Sequence, residues 1–449
     1  MLKVALSIAG SDSGAGAGIQ ADLKMFSALG VYGCTAITTI TAQNTKQVDE
    51  IFEMPASMVE QQIMAVMDDI PPNAIKIGMV YSSSIIEAVC RSVKKMPDIP
   101  IVLDPILAAG TGSKLLRNDA YESFRSKLLP SSSLVTPNKM EAENLSHLVI
   151  KTEKDAIQAA KKIRKLGVEN VIIKGGHFVS EYVTDLLIDA KGNINKFKNP
   201  RLETKEIHGS GCIFSAAITA YLAKGMAVVD ACRLANEYVH TAIRSSIQVG
   251  KGLPVANTPS TTYRDANCYR TLVELQHAAD QVSMLEGFHR LIPETQTNFA
   301  YAIPDASNIS DVAAVRGRIV KIENTAVSAS YVKFGASSHV ASAVIAYMSV
   351  KPEFRAAINL KFDNRIVNVC KSLFRVTNYD RTEEPKKTKR REGFSVAWGV
   401  RSALSKDPMA DVIYHKGDIG KEPMILLFGR HPMEVINKIK AILKNYATV

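Results

Sequence analysis

Apolar and polar positions follow two regimes along the chain. In the first half, strand-length apolar runs cover residues 4–9, 36–41, 74–80, 101–103, 134–136 and 170–174. Between them, apolar residues three and four apart mark helices at 19–29, 58–67, 83–95, 119–128, 153–166 and 228–246. Strands alternating with helices predict a mostly parallel sheet covered by helices on both faces. Such sheets bind ligands where the strands end. The ends read here are the run Gly10 to Gly18, Gln43-Asn44, Asp104-Pro105, Pro137-Asn138 and Lys174-Gly175-Gly176.

The pattern breaks after residue 246. Residues 250–264, GKGLPVANTPSTTYR, are rich in Gly, Pro, Ser and Thr and read as a linker. The expected organisation is a domain over 1–254, a linker at 255–266 and a second domain over 267–449. Residues 267–285 are helical, with Leu272, Leu275, Ala279 and Val282 on one face. The rest reads as mixed α/β. Helices are expected at 340–348, 355–360 and 432–443, and strands at 394–400, 412–413 and 424–428. Residues 366–369 either continue the preceding helix or pair as a strand.

Composition narrows the class. A chain of 449 residues exceeds one ordinary core. The 46% hydrophobic and 22% charged shares are those of a soluble globular protein. A formal charge of +11 suits anionic small molecules or nucleic acid without choosing between them. The basic run PKKTKRR at 385–391 reads as a solvated loop, since no reading helix or stacking aromatics accompany it. The opening MLKVALSIAGSDSG is broken too soon for a signal peptide, and no apolar run reaches membrane-spanning length. Six cysteines without a C-x-x-C pair read as reduced thiols in a cytoplasmic protein without structural zinc.

The strongest chemical signal is EIHGSGCIFSAAITA at 206–220, a glycine loop closing onto a helix. Glycines let backbone approach a ligand, and the first N–H groups of a helix lack internal acceptors. Together they form an anion site, with Cys212 at the positive helix end, where a thiol ionises more easily. The plainer alternative is a glycine turn before a core helix holding one buried cysteine. The glycines of SDSGAGAG alternate and lack the G-x-G-x-x-G spacing, so a nicotinamide site ranks low. The Gln43 amide suits a heterocycle with donors and acceptors. Lys174, after a buried strand, needs an anion. His177 and His208 read as loop residues satisfying backbone, and Asp22 reads equally as a solvated helix residue.

These pieces, with IAGSDSGAGAGIQADLK, KIGM, VLDP, TPN-x-x-E-A, IKGGH and HGSGC, resemble the hydroxymethylpyrimidine kinase/phosphomethylpyrimidine kinase family of the ribokinase-like fold. The sequence departs from the commonest family form at SDSGAGAG, where proline often follows the aspartate. From about Cys268 onward, DVAAVRGRIV, FGASSHVA, RAAINLKFD, EGFSVAWGV and DVIYHKGDIGKEPMI resemble the ThiN type of thiamine-phosphate synthase.

The resemblance implies two successive ATP- and Mg²⁺-dependent phosphorylations of an aminopyrimidine alcohol, then condensation with a thiazole phosphate. It implies that Cys212 takes the hydroxyl proton and that the backbone of Gly209, Ser210 and Gly211 holds the moving phosphoryl group. Gln43, Asp22, Met79 and Ile106 would hold the pyrimidine, and Lys174 would meet ATP phosphates. Asn138, Glu141 and Asp104 would order Mg²⁺ through water. In the second domain Arg318 would clamp a phosphate, and His339 would orient or protonate the leaving oxygen, with Asp418 and Lys421 in reserve. The implied partners are small molecules, with no nucleic acid or membrane, and a homo-oligomer is compatible. Two other readings stay open: a second domain that senses thiamine phosphate, and a kinase acting on pyridoxal.

Overall fold

The computed structural model describes residues 2–107, 115–176, 181–203, 206–385, 394–418 and 421–446. It divides into two compact units, Met1–Thr262 and Tyr263–Val449. Residues 255–266, expected as a linker, are folded. Val255 exchanges backbone hydrogen bonds with Ile247, Thr258 and Ser260 are buried, and a helix starts at Ser260. The Thr258 and Ser260 N–H groups donate to the Ala256 and Asn257 carbonyl oxygens, local turns that composition alone does not reveal.

The first unit is built on a nine-stranded sheet ordered β3-β2-β1-β4-β5-β6-β7-β8-β9. Strands β1 (Val4–Asp12), β2 (Tyr32–Gln43), β4 (Ala74–Ile77), β5 (Ile101–Leu103), β6 (Leu134–Val135) and β7 (Asn170–Ile173) pair in parallel. Antiparallel edges extend this core: β3 (Val48–Glu53) on one side, β8 (Tyr182–Ile188) and β9 (Ile194–Pro200) on the other.

Period-two alternation sorts the core. Leu6, Ile75, Leu103 and Val135 meet helices Ala56–Asp69, Ser83–Val93 and Glu153–Arg164. Their neighbours Ala5, Ala74, Val102 and Leu134 meet helices Gly18–Ala28, Ser210–Ala223 and Val228–Arg244. The Ser210–Ala223 helix is apolar almost all round and buries eleven of its residues, as a central helix must. The helix expected at 119–128 is instead a series of 3₁₀, α and π turns over 118–131, ending at Pro130 in the last turn.

The second unit has a seven-stranded sheet ordered β14-β11-β10-β15-β18-β17-β16 and a separate β12-β13 hairpin. Its strands are β10 (Phe299–Ala302), β11 (Val312–Val315), β12 (Ile319–Ile322), β13 (Thr325–Ser328), β14 (Val332–Phe334), β15 (Ala356–Lys361), β16 (Val376–Asn378), β17 (Val412–His415) and β18 (Met424–Gly429). Helices His339–Met348 and Phe394–Lys406 pack on one face. Helices Ser260–Met284, Asn364–Leu373 and Pro432–Tyr446 pack on the other.

Two expectations are overturned here. Residues 355–360, expected helical, form the central strand β15, pairing with β10 and β18. Residues 394–400, expected as a strand, open a helix. Val396, Val400, Ala403 and Leu404 are buried, a helical spacing that shows only when the segment is read past Val400. Residues 366–369 lie in a helix capped by the Asp363 side chain. Of the basic run at 385–391, all but Pro385 lies outside the described residues.

Candidate active sites

In the first unit the strand ends converge on the N-terminus of the Ser210–Ala223 helix. Its cap, Gly209, has φ +75°, and a Cβ there would fall 1.9 Å from the Gly16 carbonyl oxygen. The two glycine loops therefore touch, and only glycine permits it. The loop after β1 is gathered by Asp12, whose carboxylate accepts the N–H groups of Gly14, Gly16 and Ala17 at 2.8, 3.1 and 2.8 Å. His208 Nε2 lies 3.2 Å from Asp12 Oδ2 and 3.2 Å from the Gln43 amide nitrogen. Burial works against the charge on Asp12, but the His208 contact and the loop N–H groups hold its carboxyl below the usual range. His208 thus joins the loop after β1 to Gln43, a role that a loop histidine does not advertise in sequence. Met79, just beyond β4, is buried with its sulfur 3.6 Å from Thr39 Oγ1; Ile106, just beyond β5, is half-buried.

Cys212 is the third residue of the helix and is buried. The expectation that the helix end lowers its pKa is overturned: burial pushes the thiol up to about 11, against the opposing pull of Lys76 and the Gly18 N–H. Asp22 is not on a solvated face. It is fully buried, and its Oδ2 accepts hydrogen bonds from Ser7 Oγ at 2.6 Å and Lys76 Nζ at 2.9 Å. Its Oδ1 is buried without a hydrogen-bond partner among the described residues. Lys76, fully buried, carries its charge despite that burial because Asp22, Cys212 and Asp104 raise its pKa above the ordinary range. Sequence reading passed over Lys76. The available signal was a lysine inside the buried four-residue strand AIKI, which must find a partner.

A second charged group lies beneath the same helix end. Asp104 accepts from Lys174 Nζ, Thr136 Oγ1 and Ser215 Oγ, each at 3.2 Å. Lys174 also lies 3.9 Å from Glu141. A Cβ on Gly211 would sit 3.1 Å from Lys174 Nζ and 3.7 Å from Asp104 Oδ2, so the helix N-terminus lies directly over this pair. Glu141 and Asn138 form a capping box. Burial, reinforced by Asp104 and offset by Lys174, pushes the Glu141 carboxyl up to about 7. No group of three or more His, Cys, Asp or Glu suited to a metal occurs among the described residues. Asp104 and Glu141 do fit a hydrated Mg²⁺, which ordinarily takes one or two carboxylates plus water and phosphate oxygens.

The second unit holds a cavity of about 440 Å³ at one end of the sheet, on the face carrying helices His339–Met348 and Phe394–Lys406. Arg318 and His339, far apart in sequence, both line it. Arg318 has φ +73°, a conformation uncommon for a side-chain-bearing residue, and its guanidinium donates to the Thr295 carbonyl oxygen. Glu422 accepts the N–H groups of Glu294 and Thr295 at 2.8 and 3.1 Å, so the same loop is held from two directions. His339 is the first residue of its helix, with Nδ1 3.2 Å from Ser338 Oγ. Lys421 also lines the cavity, and its backbone exchanges hydrogen bonds with that of Asp418. Asn359 and Asn298 cross the floor, the Asn359 Oδ1 accepting the Asn298 N–H at 2.6 Å. Tyr379, Arg381 and His415 also line it, and the sequence pattern does not mark them as site residues.

The fold and the glycine-cradled thiol define a ribokinase-like vitamin kinase joined to a second catalytic α/β unit. The phosphomethylpyrimidine kinase family model matches residues 12–257, and the thiamine-phosphate synthase ThiN model matches residues 274–441. The bifunctional thiamine biosynthesis protein ThiDN of Methanocaldococcus jannaschii is 32% identical over 451 residues, 99% of this chain and 100% of that one. A hydroxymethylpyrimidine/phosphomethylpyrimidine kinase of Bacillus subtilis is 41% identical over 249 residues, 55% of this chain and 92% of its own. Among solved structures, an ADP complex of Bacillus subtilis pyridoxal kinase is 35% identical with a TM-score of 0.55, covering 58% of this chain and 99% of that one. The chain belongs to the bifunctional ThiDN family, with a hydroxymethylpyrimidine/phosphomethylpyrimidine kinase unit followed by a thiamine-phosphate synthase unit. Among the described residues no helix is long and apolar enough to cross a membrane.

Proposed function

We propose that the first unit carries out both phosphorylations at the Ser210–Ala223 helix N-terminus. The observation that carries this reading is the position of that helix end over the Asp104–Lys174 pair, with Cys212 buried beside it. The backbone N–H groups of Gly209, Ser210, Gly211 and Cys212 hold the transferring phosphoryl group. As the new P–O bond forms and ADP leaves, the proton of the acceptor hydroxyl passes to Cys212 acting as a thiolate. Lys76 favours that thiolate, and Asp22 holds Lys76 in place. In the second step the acceptor is already a phosphate oxygen, so no strong base is needed. Gln43, fixed by His208, reads the pyrimidine, while Met79 and Ile106 wall its ring. Lys174 meets the ATP phosphates. Asp104 and Glu141, the latter positioned by Asn138, would hold Mg²⁺ through water. When bound, that ion neutralises phosphate charge.

In the second unit the pyrimidine CH₂–O bond breaks, pyrophosphate departs, and the thiazole nitrogen forms the new C–N bond. Arg318 meets the charge growing on the leaving group with paired donors, and His339 orients or protonates its oxygen. The whole-length relation to a bifunctional biosynthesis protein favours a synthase over a sensor. The kinase relative's 41% identity, against 35% for the pyridoxal kinase structure, favours the pyrimidine substrate.

The test is direct. Purified chain receives the aminopyrimidine alcohol, thiazole phosphate and ATP–Mg²⁺, and thiamine phosphate is expected. Arg318→Ala and His339→Ala should each cut its formation by about 10- to 100-fold, while the pyrimidine pyrophosphate still accumulates. Undiminished product in both variants would remove these residues from the mechanism. Absence of product in the parent, with the kinase rate altered by thiamine phosphate, would return the sensor reading.

A further inference from the structure

The synthase cavity has a second, donor-bearing side that the Arg318–His339 pair does not use. The sheet order separates the strands involved. Arg318 follows β11, His415 ends β17, and Tyr379 and Arg381 follow β16. Strands β10, β15 and β18 lie between β11 and β17. At roughly 4.8 Å per strand, the backbones of β11 and β17 are about 20 Å apart, so the two sets reach the one cavity from different strands.

Three donors gather on this side. Arg381 is only 7% exposed, and among the described residues its nearest carboxylate oxygen, on Glu384, lies 3.8 Å away, beyond hydrogen-bond length. Glu384 itself accepts from Ser395 Oγ. The Tyr379 hydroxyl is buried with no hydrogen-bond partner among the described residues, although its ring lines the cavity. An unmade bond of that kind costs about 1–3 kcal/mol, which a bound acceptor would relieve. Its ring is fixed: a Cβ on Gly399 would fall 2.2 Å from it. His415 packs beside it at 5.1 Å between ring centroids, and its Nδ1 accepts the Gly417 N–H, leaving Nε2 to carry the proton. A guanidinium, a phenol O–H and an imidazole N–H all donate, and that set suits an anion.

We propose that Arg381, Tyr379 and His415 form a second phosphoryl-binding subsite, holding the phosphate end of one of the synthase's two substrates across the cavity from Arg318. This rests on the synthase reading above, in which each of the two substrates carries phosphate. Separate anchors hold the two reacting carbon and nitrogen atoms between them, and orientation of this kind is a large part of bimolecular catalysis.

The experiment measures steady-state synthase kinetics of the full chain, varying each substrate in turn, for the parent, Arg381→Met, Arg381→Lys and Tyr379→Phe. Arg381→Met should raise KM for one substrate by about 10- to 100-fold and leave the other within about twofold. The substrate that responds, thiazole phosphate or pyrimidine pyrophosphate, identifies the phosphate held. Arg381→Lys should recover part of the loss, and Tyr379→Phe should raise the same KM a few-fold. Unchanged KM values, or a fall in kcat alone, would overturn the subsite. If Arg381→Met does not fold, Arg381→Lys and Tyr379→Phe carry the test. If the parent makes no thiamine phosphate, the synthase reading fails by itself. The subsite is then read by titrating inorganic pyrophosphate against fluorescence of Trp398, whose ring lies 6.1 Å from that of Tyr379. A saturable response lost in Arg381→Met supports it, and no response in the parent refutes it.

Discussion

Lys76 Nζ lies 2.9 Å from Asp22 Oδ2, and neither side chain reaches solvent. The two residues stand on different elements, 54 positions apart, beneath the helix that carries Cys212. A buried pair of this kind is weak evidence for stability but strong evidence of a constraint, because losing one partner strands the other's charge.

Lys76→Met should therefore destabilise the first unit by roughly 3–5 kcal/mol. Adding Asp22→Asn should recover much of that, since no full charge then remains stranded. Kinase turnover should stay low in the double variant, because Cys212 has lost its cation. Urea unfolding followed by circular dichroism, beside kinase assays, tests both parts. Parental turnover in the double variant would refute a role for Lys76 beyond the fold.

The raised Cys212 thiol has a pH consequence. With a pKa of about 11, roughly one thiol in ten thousand is ionised at pH 7. The first phosphorylation should accelerate about tenfold per pH unit from 7 to 10, and the second should be much flatter. Cys212→Ala should abolish the slope and slow the first step by about 100- to 10,000-fold. Parallel pH profiles for the two steps would show that the thiol is not the base.

Burial, helped by Arg381, pulls the His415 pKa from 6.5 down to about 4. The unfolded chain therefore binds more protons than the folded one between those values. Stability attributable to this ring is complete above about pH 6.5 and is lost as pH falls toward 4, by roughly 3 kcal/mol. Trp398 is the only tryptophan and lies in the second unit, so its fluorescence reports that unit's unfolding. His415→Phe should flatten the urea midpoint between pH 6.5 and 4. A variant as acid-sensitive as the parent would assign the effect elsewhere.

The boundary segment yields a fragment test. Tyr238 Oη donates to the Thr258 carbonyl oxygen at 2.8 Å, and the Asn257 N–H donates to the Ala242 carbonyl oxygen at 3.0 Å. We expect a fragment of residues 1–262 to retain kinase activity. A fragment ending at Val255 should be less stable by about 2 kcal/mol, at roughly 1 kcal/mol for each lost hydrogen bond. Equal unfolding midpoints for the two fragments would show that residues 256–262 do not support the first unit.

The local pattern was enough for the parallel core and the loop that closes on Cys212. Strand and helix periods are properties of adjacent residues, and glycine's freedom needs no distant partner. The edges β3, β8 and β9 were not legible, because half-exposed strands such as VDEIFE and INKFKNP carry weak alternation. Nor was β15: RAAINLKFD has helix-favouring alanine and leucine, and its pairing with β10 and β18 overrides that preference.

The candidate residues divide the same way. Cys212, Lys174 and Asp104 stand at strand or helix ends that the pattern marks. Lys76 against Asp22, His208 between Asp12 and Gln43, and Arg381 beside Tyr379 and His415 are decided only by which strands become neighbours. The Cys212 thiol is the sharpest case. Sequence places it at a helix N-terminus, which favours the thiolate; the folded core buries it, and desolvation outweighs the pull of Lys76 and the Gly18 N–H. Position along the chain sets the helix end, while burial depends on everything packed around it.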